Sequence, residues 1–273
     1  MPITADFHLH SSFSGDSDAP MEDMILQGIA HGLTTMCFTE HNDFDYPPCE
    51  EITETTFLLN PDSYLYDLLK LKEKYTGQIT ILYGVEIGLQ PQLSRKNAMF
   101  SKANEYDFII ASSHICNGKD PYYPAFFEGR SSEEACREYF ESILANLRVF
   151  SNFDVYGHLD YVVRYAPDMK DGYSYEIYRD ILDKILEKLL SMEKGIELNT
   201  SALAKGFKNP NPCPEILKRY RELGGEIITI GSDAHTPDVV AHSFDCAAEL
   251  LKDCGFQYYT TFERRSPSFH KLQ

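Results

Sequence analysis

Seven short apolar runs of β character punctuate the chain, and the stretches between them repeat their apolar residues every three or four positions. The runs are Ile3–Phe7, Thr34–Thr39, Thr80–Val85, Phe108–Ala111, Val155–Tyr156, Ile196–Leu198 and Glu226–Ile230. Strands that alternate with helices pair in parallel through right-handed crossovers, so the chain is predicted to form an α/β fold, either an open doubly wound sheet or a closed barrel.

The intervening segments carry helix punctuation. Pro20 follows Asp18 and opens a stripe of Met21, Met24, Ile25 and Ile29 that Gly32 closes. Pro61 and Asp62 precede Leu65, Leu68 and Leu69, while Ser131 and Glu134 form a capping box ahead of Phe140, Ile143, Leu144 and Leu147. Ile177, Ile181, Ile185 and Leu189 make a fourth stripe, and Thr236 with Pro237 is expected to open a last helix through Phe244, Ala248 and Leu251. No linker, repeat or low-complexity tract interrupts the 273 residues, so a single domain over 1–273 is expected.

Composition removes several function classes. Lys and Arg number 25 against 42 Asp and Glu, a net charge of -17 with no basic block, which disfavours nucleic acid and anionic lipid as partners. No apolar run reaches the roughly 18 residues of a membrane span, and the N-terminus has no signal-like region. Seven cysteines without a C-x-x-C pair suit a reducing compartment, so a cytoplasmic location is expected.

Six of the nine histidines, His8, His10, His41, His114, His158 and His235, stand at or just after a β run, as do Glu86 and Asp233. Parallel strands end on one rim, so these residues, distant in sequence, are expected to converge. His8-Leu9-His10 places two imidazoles on one face of a strand, a geometry that clasps an ion. Imidazole with carboxylate and without thiolate suits Zn, Mn or Fe, and more donors than a four-ligand site uses imply several ions. Such a cluster suits hydrolysis. His31 before Gly32, His242 and His270 need no function, and Cys116 has no activating neighbour in sequence.

With these motifs in order (H-x-H, T-E-H at Thr39–His41, G-x-E at Gly84–Glu86, S-x-H at Ser112–His114, G-H at Gly157–His158 and S-D-A-H at Ser232–His235), the chain resembles the polymerase-and-histidinol-phosphatase (PHP) superfamily over nearly its whole length. Asp120–Gly129, Gly157–Tyr165 and Glu197–Ser201 resemble the histidinol-phosphatase branch. The resemblance implies a distorted, TIM-barrel-like (β/α)7 barrel with its active site at the C-terminal ends of the strands and three divalent metal ions. His8, His10, Glu86 and Asp233 would bind one ion; Glu86 would bridge to a second held by His114 and His158; Asp16, His41 and His235 would hold a third. Asp16 is taken on its spacing from the H-x-H, a helix N-cap being the competing role for an acidic residue here, where Asp18 lies two residues on. The implied nucleophile is a metal-bridging hydroxide held by Glu86, His114, His158 and Asp233, and the implied reaction is hydrolysis of the phosphomonoester L-histidinol phosphate in histidine biosynthesis.

Arg164 matches a family arginine that reaches the phosphate, its guanidinium fork suiting two oxygens. Where many relatives carry Gly-Leu-Arg, this chain has Ala202-Leu203-Ala204 followed by Lys205, which can stand in as a point charge; Asn199 and Ser201 are further polar candidates for substrate binding. The long loops Asn42–Asn60 and Ile115–Arg130 are expected to wall the site, with Phe44, Tyr46, Tyr122, Tyr123, Phe126 or Phe127 available to stack a ring and Asp43 and Asp45 to attract an ammonium. The competing functions are a phosphatase or phosphodiesterase for another small phosphate, and an amidohydrolase-like hydrolase, which the carboxylate at Glu86 disfavours because many of those bridge their metals with a modified lysine.

Overall fold

The computed structural model describes residues 3–49, 52–167 and 173–272. Seven parallel strands lie side by side in chain order: β1 (Ala5–Asp6), β2 (Thr35–Asn42), β3 (Thr80–Gly88), β4 (Phe108–Ser112), β5 (Val155–Tyr156), β6 (Gly195–Asn199) and β7 (Ile228–Gly231). The Phe7 amide donates to Ile230 O (2.9 Å) and the Asp233 amide to His8 O (2.7 Å), drawing β1 against β7. The sheet is therefore a nearly closed barrel, which decides between the two architectures the alternation allowed.

Helices α1 (Met21–Ala30), α2 (Pro61–Lys74), α3 (Ser94–Ala103), α4 (Ser132–Val149), α5 (Tyr175–Ser191), the single turn α6 (Ser201–Ala204), α7 (Pro214–Glu222) and α8 (Phe244–Asp253) supply the connections. The capping box at Ser131 and Glu134 is present in both directions, and Asn60 caps α2 by accepting from the Ser63 amide. At α1 the N-cap position falls to Pro20, which offers no side-chain cap.

Two expectations need correction. Thr236 and Pro237 open only a short 3-10 turn, Pro237–Val239; Ala241 (φ 55°) and Ser243 (φ 61°) then turn left-handed, so α8 starts at Phe244. The sequence reading also missed α3, α7 and a C-terminal hairpin, β8 (Tyr258–Glu263) with β9 (Ser266–Lys271). α3 buries Asn97 and Ser101 rather than an apolar stripe. The hairpin turns on Arg264 (φ 50°) and Arg265 (φ 63°), lacking the Asn or Gly that ordinarily marks such a turn.

That hairpin closes the end of the barrel opposite the histidines. Phe262 packs on Phe108 (ring centroids 5.2 Å), which packs edge-on against Phe7 at the same separation. The Arg264 amide donates to Asp107 Oδ1 (3.0 Å), and Arg265 pairs with the buried Asp154. One apolar cluster runs from Ile3 to Leu272 through the barrel and its helices.

Candidate metal and phosphate site

The strand ends deliver their ionisable residues to the mouth of the barrel. His8 and His10 follow β1, His41 is the last residue but one of β2, Glu86 lies near the end of β3, His114 follows β4, His158 follows β5 and Asp233 and His235 follow β7. Asp233 adopts the left-handed region (φ 52°) as the chain leaves β7, a strained conformation for a residue with a side chain and one that recurs at functional sites.

Glu86 is the centre. Its Oε2 lies 3.2 Å from His8 Nε2, 3.6 Å from His10 Nε2 and 3.0 Å from His41 Nδ1, while Oε1 lies 2.9 Å from His158 Nε2 and 3.3 Å from His114 Nε2. Asp233 Oδ1 faces the first pair from the other side, 3.7 Å from His8 Nε2 and 3.5 Å from His10 Nε2. Beyond His41, Asp16 Oδ2 lies 3.6 Å from His41 Nε2 and 3.1 Å from His235 Nε2, and the His10 ring stacks on His41 and His235 (4.1 and 4.3 Å).

This donor set fits divalent metal ions. Among the described residues, four overlapping triads of donor atoms lie within 4.8 Å of one another: His8, His10 and Asp233; His8, Glu86 and His158; His41, Glu86 and His114; His10, His41 and His235. Donors bonded to one tetrahedral ion at about 2.1 Å stand roughly 3.4 Å apart, close to the separations here. Glu86 Oε2, His41 Nδ1 and His235 Nε2 are buried without a hydrogen-bond partner, as expected of donors aimed at a shared point rather than at each other.

Electrostatics agree. Burial alone would lower the pKa of His8, but Glu197, Glu86 and Asp233 overcome it and raise it well above the ordinary imidazole range. Asp16 and Glu86 do the same for His41, and Asp43 and Glu86 for His114, against the same burial. Burial also works against the charge on Glu86, yet His8, His114 and His41 hold its pKa well below the usual carboxylate range.

Glu197, Ser14 and Glu40, behind the cluster, were not found from the sequence, and Asp43, expected to attract an ammonium, backs His114. His8 Nδ1 meets Glu197 Oε1 at 2.6 Å, and His114 Nδ1 meets Asp43 Oδ1 at 2.7 Å. His10 Nδ1 lies 3.0 Å from Ser14 Oγ, which donates to Glu40 Oε2 (2.6 Å). These contacts hold each imidazole by one nitrogen and turn the other inward. Glu40 and Glu197 left one usable signal, a carboxylate inside an otherwise apolar strand, where burial requires a partner.

Asp16, His41, His114, His158, Asp233 and His235 line a cavity of about 620 Å³ together with Arg164, Lys205, Tyr161 and Asp120. Arg164 is buried; its Nε donates to Asn211 Oδ1 (2.6 Å) and Nη2 to Asn199 Oδ1 (2.9 Å), while Nη1 is 3.5 Å from Asp233 Oδ2. Ser201 Oγ and Asn199 Nδ2 each donate to Asp233 Oδ2 (3.1 Å), so both orient this carboxylate. Of the loop residues, Tyr46, Tyr122, Tyr123 and Asp43 line the cavity; Phe126 and Phe127 join the core, and Asp45 and Phe44 instead face Lys96.

Comparison with known proteins places this geometry in a family. The PHP domain model matches residues 6–201. The histidinol-phosphatase of Lactococcus lactis is 34% identical over 94% of this chain and 93% of its own length, and a probable histidinol-phosphatase of Clostridium acetobutylicum is 34% identical over 95% and 97%. A crystal structure of histidinol phosphate phosphatase from Lactococcus lactis, complexed with Zn, L-histidinol and phosphate, superposes with a TM-score of 0.88 at 32% identity, covering 97% of this chain and 98% of that one. A structure from Listeria monocytogenes at 19% identity shares the fold (TM-score 0.72) over 89% and 99%. The chain belongs to the PHP-domain family, in its histidinol-phosphatase branch.

Proposed function

We propose that this protein is a metal-dependent phosphomonoesterase that hydrolyses L-histidinol phosphate to L-histidinol and phosphate, through one barrel domain spanning the chain. The observation that carries the reading is the buried Glu86 carboxylate ringed by imidazoles, of which His41, His114 and His158 line a cavity with Arg164 and Lys205 on its walls. Likeness to a protein solved with Zn, L-histidinol and phosphate supports it.

Three divalent ions, Zn, Mn or Fe, would be held by His8, His10, Glu86 and Asp233; by Glu86, His114 and His158; and by Asp16, His41 and His235. When bound, such ions acidify water and neutralise charge on phosphoryl oxygens. The chain's own residues do the rest. Asn211 and Asn199 fix the Arg164 guanidinium, leaving Nη1 with hydrogens to spare for a phosphate oxygen, and Lys205 adds a second positive charge. At the other wall Asp120 accepts from the Tyr46 hydroxyl (2.5 Å) and the Tyr122 amide (2.7 Å) and keeps lone pairs for a substrate ammonium or imidazole N–H. Tyr165 packs edge-on against both Tyr122 and Tyr161 (5.3 and 5.1 Å), giving an aromatic flank of a size to meet an imidazole ring. A net charge of -17 without a basic tract favours a small cytoplasmic substrate over nucleic acid.

The departure at Ala204, with Lys205 in the cavity wall, favours as a second reading a different small phosphomonoester. Phosphate release from L-histidinol phosphate, measured beside a panel of small phosphomonoesters on protein of known metal content, separates the two. A kcat/KM of order 10⁴ M⁻¹s⁻¹ or more, well above the panel, is expected. Uniformly feeble turnover with ions in place would refute the histidinol phosphate assignment.

A further inference from the structure

Glu197 lies inside the barrel on β6, 1% exposed, yet it is in none of the donor triads and does not line the cavity. An isolated buried carboxylate is costly, so its partners define its purpose. Oε1 stands 2.6 Å from His8 Nδ1; Oε2 accepts from the His158 backbone amide (2.9 Å) and from Asn199 Nδ2 (3.3 Å). One side chain thus contacts the residues following β1 and β5, which stand on either side of Glu86.

The neighbouring strands make room for it. A Cβ on Gly231 would come within 2.4 Å of Glu197 Oε1 and 2.2 Å of His8 Cβ, and a Cβ on Gly157 would sit 3.4 Å from Oε2 and 2.6 Å from Ser112 Oγ. Neither glycine has a positive φ, so the space a side chain would fill, rather than backbone freedom, accounts for the glycine at each. The Glu197 carboxylate takes the space a side chain at Gly231 would need, while at Gly157 Ser112 and Ile110 take most of it.

We propose that Glu197 is a positioning residue that keeps the His8 proton on Nδ1, so that Nε2 presents its lone pair to a metal ion, and that it fixes the His158 main chain in the same act. The inference rests on the metal reading above and adds what selects the His8 tautomer. Two nitrogens of one ring cannot both serve the ion: with Nδ1–H bound to Glu197, Nε2, 3.2 Å from Glu86 Oε2 and 3.1 Å from His10 Nε2, is the coordinating atom.

Zinc-loaded wild-type protein labelled with ¹⁵N-histidine should show the His8 proton on Nδ1 by NMR; a proton on Nε2 would overturn the proposal without any variant being made. In stepwise competition with a zinc chelator, Glu197→Gln should weaken zinc by about 10- to 100-fold at the step that uses His8, while leaving the step that uses Asp16, His41 and His235 unchanged. Equal weakening of every step would show a general structural role and overturn the proposal. Wild-type affinity throughout would refute the role of Glu197 alone, whereas wild-type protein that takes up no zinc would refute the metal reading beneath it.

Discussion

Replacing Gly88 with alanine tests whether the residues behind the cluster set its geometry. Gly88 ends β3, and a Cβ there would lie 1.8 Å from Asp43 Oδ1 and 2.4 Å from Asp43 Cγ. Ordinary contact begins near 3.4 Å, so the carboxylate must retreat by about 1.6 Å, enough to break its 2.7 Å contact with His114 Nδ1. Gly88 has no positive φ, so alanine's own backbone is unstrained and the effect is steric. Overpacking costs about 1–3 kcal/mol and a lost charged hydrogen bond about 1.5–3 kcal/mol. A combined loss of about 2.5–6 kcal/mol in urea unfolding of the metal-free protein is expected, with zinc affinity at the His114 site down by about 10- to 100-fold. The decisive comparison is the double variant with Asp43→Ala. If the clash acts through Asp43, removing that carboxylate removes most of the Gly88→Ala penalty, a coupling of about 1–3 kcal/mol. Full additivity, or a Gly88→Ala protein with unaltered metal binding, would refute the reasoning.

Three further outcomes are expected. Arg164→Ala should lower kcat/KM for phosphomonoesters by about 30- to 150-fold, mostly through KM, as loss of a charge-assisted contact of about 2–3 kcal/mol requires, and Arg164→Lys should rescue little because lysine cannot satisfy both Asn211 and Asn199; wild-type kinetics for either would remove Arg164 from phosphate binding. Carboxylates raise the pKa of His8, His41 and His114 above the ordinary value in the metal-free fold, so ion uptake near neutral pH must displace protons. Zinc affinity should therefore climb as pH rises above about 6.5, while the metal-free protein loses through the raised pKa values the ion-pair stability it has in full below about 6.5; calorimetry in buffers of different ionisation enthalpy that finds no proton release would contradict this. Phe262→Ala, at the closed end of the barrel, should cost about 3–4 kcal/mol of stability and leave kcat unchanged, and a matching fall in kcat would show that the plug and the site are not independent.

Much of this was legible in the residues themselves. A strand in a barrel of this kind is buried on both faces, so Thr34–Thr39 and Thr80–Val85 stand out as β-type runs, and His41 and Glu86 are marked by falling just after them. Parallel pairing then sends those ends to one rim. Elements without such a signature stayed hidden: α3 buries amide and hydroxyl groups, and the β8–β9 turn places two arginines in left-handed conformations.

The alternation of strand and helix, the seven strands of the barrel and the chemistry of their ends can be read along the chain, because periodicity and residue type are local properties. Closure of the sheet, the pairing of Glu197 with His8 and of Asp43 with His114, and the seat of Arg164 between two asparagines were decided only in the tertiary structure. These contacts join residues as far apart as 189 positions, and which nitrogen of an imidazole faces inward depends on what stands behind it in space, which no spacing along the chain records.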